Sequence, residues 1–121
     1  MTTNKCSDAL RAIPLGTLIL LLTNVIVHAL LFLSSLNPGL FAISYNNVFK
    51  GEMYYTVLSS AFVHGSLMHI GFNMMSLVQL GPALESQFGT SQFLFMTAWS
   101  VIFCGLIYIL IEYFGYVVRE P

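Results

Sequence analysis

Residues 13–36 read IPLGTLILLLTNVIVHALLFLSSL, a run without one acidic or basic side chain. At 1.5 Å rise per residue, about 24 residues of helix reach about 36 Å, enough to cross a bilayer with some tilt. The whole chain shares this character. Of its 121 residues 57% are hydrophobic and 7% charged, with a mean hydropathy of +0.82, whereas about a quarter of a soluble domain is charged. So few charges cannot clothe a soluble fold. At about 20 residues per crossing, the chain affords about three spans. The fold class expected is therefore all-α, a small polytopic bundle of about three transmembrane helices with the lipid bilayer as its first partner. The net charge is -1, and Lys5, Arg11, Lys50 and Arg119 are scattered singly. Nothing resembles a nucleic-acid footprint. Cys6 lies in the tail and Cys104 deep in the last apolar segment, a poor disulfide pair.

Lys5 and Arg11 before an apolar run also suit a signal peptide, but the run is too long and no small-x-small cleavage site follows Leu33. A retained signal anchor is the expectation. Asn37-Pro38-Gly39 then breaks the helix, because proline restricts the residue before it. Residues 40–60, LFAISYNNVFKGEMYYTVLSS, mix aromatic rings with Asn, Lys and Glu, a blend suited to the headgroup region. This makes 37–65 an interfacial loop with short helical pieces. A second span, 66–87, carries His69, Asn73, Ser76 and Gln79 and scores as borderline by hydropathy. Pro82 is placed to kink or end it, and Gly89 marks the turn. The third span, 92–114, ends in aromatic residues like an interfacial belt. The expected organisation is a cytosolic tail 1–12, a membrane domain 13–115 and a C-terminal tail 116–121. Lys5 and Arg11 place the N-terminus in the cytosol by the positive-inside rule. Residues 37–65 then face outward, and His64, His69 and Asn73 lie towards the outer side. The organelle stays open.

His69 and Asn73 are four positions apart and share one helix face. His64 is five residues before His69, which on a regular helix would turn it about 140° away. Two such histidines would not chelate one metal, and no Cys, carboxylate or H-E-x-x-H pair stands at ligand spacing. Neither metal nor cofactor is expected. Neutral donors without a local nucleophile suit the stabilisation of a developing oxyanion, through the Asn amide and a His ring N–H. Taken singly, each residue is more simply the glue of a helix interface. Three polar residues within ten positions of an apolar segment favour a functional site. His28 in the first span reads as packed against a neighbouring helix, and the Met residues and Trp99 as packing.

The stretch Ala61-Phe62-Val63-His64-Gly65-Ser66-Leu67-Met68-His69-Ile70-Gly71-Phe72-Asn73-Met74 resembles the second transmembrane helix of the rhomboid intramembrane serine proteases, whose pattern is F-x-H-x-x-x-x-H-x-x-x-N. Gly51-Glu52 and Leu58-Ser59-Ser60 before it, and Gly81, Leu84-Glu85 and Gly89 after it, continue the likeness. It extends over about 14–115, the first half of a rhomboid domain. The resemblance implies a serine endopeptidase acting on transmembrane proteins. It makes His69 and Asn73 oxyanion donors, His64 a support for the loop and cavity, Gly71 and Gly81 sites of close helix approach, and Glu85 a structural residue at the cytosolic end of the helix.

Two departures stand out. The family's nucleophile sits in a G-x-S-G segment on a fourth helix and its base histidine on a sixth, and this chain has no G-x-S-G or G-x-S-x-G. Ser66 is no substitute, since nothing orients a base toward it. The chain by itself is therefore expected to be inactive, and to need further helices or a partner chain to shelter its polar face. In addition, Tyr54-Tyr55 replaces an aromatic-arginine pair common in relatives. The alternative is a non-catalytic rhomboid-like protein that binds transmembrane clients.

Overall fold

The structure is a computed structural model that describes residues 12–119. Lys5, Cys6 and Arg11, and with them the tail expected in the cytosol, lie outside the described residues. Four α-helices follow in order: α1 (Leu15–Leu33), α2 (Thr56–Ser59), α3 (Leu67–Phe88) and α4 (Thr90–Arg119). No strand occurs among the described residues. α1 and α4 are long and apolar enough to cross a membrane. α3 has 22 residues, the length of a crossing, but its polar side chains leave it less apolar than the other two.

α1 is shorter than the run that predicts it. Ser34 takes an extended conformation (φ -88°, ψ 160°), and its hydroxyl donates to Leu31 O (3.3 Å) and accepts from Leu36 N (3.4 Å). Local serine bonds of this kind compete with helix propagation. α4 is longer than expected, running through Gly115 to Arg119. Its last turns dock on the loop, where Tyr116 stacks on Tyr45 with ring centroids 4.2 Å apart. Pro82 does not end α3, which continues to Phe88. Gly89 ends it, with φ 83° and ψ 158°, a backbone conformation that side-chain-bearing residues avoid.

The loop is stitched rather than loose. It contains a 3₁₀ turn (Pro38–Leu40), a π-helical turn (Asn46–Lys50), α2 and a second 3₁₀ turn (Ser60–Phe62). Asn47 Nδ2 donates to Gly39 O (2.8 Å) and Ala42 O (2.7 Å), and Ser59 Oγ to Phe41 O (2.8 Å). Tyr55, half of the Tyr54-Tyr55 pair, donates its hydroxyl to Leu40 O (2.9 Å). A tyrosine thus helps to anchor the loop.

Two close approaches fix the helices. A Cβ at Gly81 would stand 2.7 Å from Thr17 Oγ1, and one at Gly105 would stand 2.9 Å from Val57 Cγ1. α3 therefore meets α1, and α4 meets α2, almost backbone to backbone. Glu85, 4% exposed, pins α1. Its carboxylate accepts from Gly16 N (2.7 Å), Thr17 N (2.7 Å), Thr17 Oγ1 (2.9 Å) and Thr90 Oγ1 (2.7 Å). The buried apolar core is small, comprising Val48, Ile70, Phe93 and Ile109. Most large apolar side chains face outward, Phe32 at 76% and Leu33 at 81% exposure among them. Water would penalise such a surface, whereas lipid solvates it.

Candidate functional site

Residues 63–66 make the turn that starts the site. After the 3₁₀ turn, Val63 is extended (φ -95°, ψ 120°), and Ser66 caps α3 with its hydroxyl accepting from His69 N (3.1 Å). This is the side-chain cap that exposed N-terminal N–H groups call for. It occupies Ser66 Oγ and fixes His69 in the first turn, with Asn73 one turn, about 6 Å, further along the same face. Both His69 and Asn73 are exposed, on a face that α1 and α4 leave uncovered.

His64 precedes the helix, so the angular separation reckoned for a regular helix does not apply. Its ring is 8% exposed and lies 5.2 Å from that of His69, edge to face. Nδ1 contacts Phe62 O at 3.3 Å. A carbonyl only accepts, so this bond places the proton on Nδ1 and leaves Nε2 an acceptor. Burial, with lesser contributions from His69 and His28, holds the His64 pKa below 6.5, although the Phe62 bond opposes the shift. Among the described residues no three His, Cys, Asp or Glu side chains are grouped to hold a metal ion.

His28 joins this cluster. Its ring is 6.4 Å from that of His64, and its Nε2 is buried without a hydrogen-bond partner. A cavity of about 230 Å³ beside it is lined by His28, Phe32, Pro38, His64 and Ser66. The sequence reading treats His28 as packing and misses this placement. The signal lies in the antiparallel register, since Thr17 meets Gly81. Eleven residues up α1 from Thr17 is His28, and eleven back along α3 from Gly81 is Ile70, next to His69.

The remaining residues of interest divide. Gly81 and Glu85 sit at the buried contact with α1, whereas a Cβ at Gly71 would meet no atom within 4 Å. Cys104 is an exposed free thiol.

The sequence model of the Rhomboid domain matches residues 51–118. Two proteins named Rhomboid protease GlpG, from Yersinia pestis and Yersinia pseudotuberculosis, are each 46% identical to this chain over 48 residues. That stretch is 40% of this chain and 17% of either relative, so the chain matches well under a quarter of the relatives' length. No solved structure matches. The matched segment covers more than half of the chain and contains the turn, α3 and nearly all of α4; the chain belongs to the rhomboid family.

Proposed function

We propose that this chain supplies the oxyanion-binding helix of an intramembrane serine endopeptidase that cleaves transmembrane proteins. The observation that carries this is one arrangement: His69 and Asn73 stand one turn apart on an uncovered face of α3, with His64 beside His69. Two neutral donors on rigid helix backbone suit a tetrahedral oxyanion better than they suit lipid. His64 is a positioning residue in this reading. Its ring edge limits where the His69 imidazole can swing, and its bond to Phe62 ties that restraint to the loop. Gly71, two residues from both His69 and Asn73 and so on the other side of α3, lines a groove beside α1 with Val25, His28 and Met74, where its missing Cβ leaves room for another helix. Sheltering the His69–Asn73 face is the role of a serine-bearing helix and a histidine-bearing helix outside these residues, and α3 crosses the membrane beside α1 and α4.

Among the described residues no hydrogen bond joins the Ser66 hydroxyl to a base, and its oxygen accepts from His69 N at the cap. The purified protein in detergent is therefore expected to remain unlabelled by a serine-directed fluorophosphonate. When it is co-expressed with the C-terminal half of the Yersinia pestis relative, labelling is expected to appear on that half. Strong labelling of the isolated chain contradicts this reading. Stable capture of an intact transmembrane client, without labelling in either setting, favours the non-catalytic alternative.

A further inference from the structure

A separate polar cavity of about 510 Å³ opens between the π-helical turn and the last turns of α4, lined by Tyr45, Asn46, Lys50, Glu112, Tyr116 and Arg119 among others. Its wall is the Tyr45–Tyr116 stack (centroids 4.2 Å apart, planes 16° apart), and Lys50 Nζ stands 5.9 Å and 5.4 Å from those two ring centroids. Tyr108 donates its hydroxyl to Glu112 Oε1 at 3.4 Å. Depth follows from helix length. Glu112 is 22 residues beyond Thr90, about 33 Å along the axis, whereas the hydrocarbon core is about 30 Å thick. With Thr90 at one boundary, the cavity lies at the headgroup level of the other. The aromatic wall is what that level favours.

The charges are arranged in a particular way. Lys50 and Arg119 supply two cations and Glu112 one carboxylate around a single cavity, and neither cation forms an ion pair among the described residues. We propose that this cavity binds the headgroup of an aminophospholipid, phosphatidylethanolamine in chemical class. The phosphodiester would lie between Lys50 and Arg119, and the primary ammonium would donate to the Glu112 carboxylate. A glycerol headgroup carries the phosphate but brings no ammonium to Glu112. A choline headgroup carries the cation but has no N–H to donate. The tyrosine stack is already engaged by Lys50, so it offers choline no open aromatic cage. The inference concerns a site apart from the His69–Asn73 face and stands whether or not that face is catalytic.

The test places the protein in nanodiscs containing equal fractions of ethanolamine, glycerol and choline phospholipids with identical acyl chains, and counts retained lipids by native mass spectrometry. The wild-type protein is expected to retain ethanolamine lipid over glycerol lipid by about fivefold or more. Glu112→Gln is expected to abolish that preference while keeping phosphate-dependent retention, Glu112→Asp to keep the preference, and the double variant Lys50→Gln, Arg119→Gln to lose retention of both. Helix content by circular dichroism identifies any variant that has lost its fold, and Glu112→Asp keeps the test decisive if Glu112→Gln does so. Equal retention of the three lipids by the wild type overturns the proposal. So does a preference that survives Glu112→Gln, and so does equally tight binding of soluble glycerophosphoethanolamine in detergent, which would mean a free headgroup ligand rather than a lipid.

Discussion

Glu85 turns a liability into a fastening. A buried carboxylate loses several kcal/mol of hydration unless strong hydrogen bonds replace it. Here the replacements are the N–H groups of Gly16 and Thr17, which lack partners at the start of α1 because Pro14 offers no side-chain cap. The carboxylate also faces the positive end of the α1 dipole. Glu85→Gln is expected to lower stability by about 2 to 4 kcal/mol, measured by thermal unfolding in detergent, and Thr17→Val by about 1 kcal/mol through loss of one hydroxyl bond. The α1 partners of Glu85 lie 68 and 69 residues away, beyond any local pattern. The sequence suggests Glu85 as structural only through family resemblance, and chain folding supplies the reason. His64 offers a second residue-scale measurement. Burial favours its neutral ring, so its imidazole signals by NMR in bicelles should titrate with a midpoint below 6.5. Since the unfolded chain then binds protons first, the His64 contribution to stability is present above pH 6.5 and is lost as the pH falls through the folded-state midpoint. His64→Gln should weaken that acid sensitivity.

At the scale of elements, legibility follows the range of the forces involved. α1 and α4 are plain in hydropathy because lipid exposure is a property of each residue alone, whereas the polar side chains of α3 make it borderline on the same measure. The loop is not legible to the same degree. Its π-helical turn and its three side-chain stitches by Asn47, Tyr55 and Ser59 depend on carbonyls up to 18 residues away. The angular separation of His64 and His69 misleads for the same reason, since it assumes a helix where the chain makes a turn. Helix approach gives a contrast that one pair of variants can measure. Gly81→Ala pushes a methyl onto Thr17 and should cost about 1 to 3 kcal/mol, whereas Gly71→Ala meets no atom of this chain and should be nearly neutral in the purified protein. If Gly71→Ala impairs assembly with a catalytic half while leaving the isolated chain stable, a helix packs into the groove that Gly71 lines beside α1.

For the whole molecule, the balance of surfaces frames the functional reading. α1 and α4 present apolar side chains that lipid accepts, while α3 presents His69 and Asn73, which lipid does not. Two explanations compete for that face, helix glue and oxyanion binding, and they separate kinetically. Glue variants should fail to assemble; oxyanion variants should assemble and fail to turn over. The decisive measurement is kcat for cleavage of a transmembrane reporter by this chain co-reconstituted with the C-terminal half of the Yersinia pestis relative. It compares the wild type with His69→Ala and Asn73→Ala at matched amounts of assembled complex. The expected result is a loss of about 10²- to 10³-fold in kcat for Asn73→Ala or His69→Ala with assembly unchanged. Turnover undiminished in both variants would contradict the account.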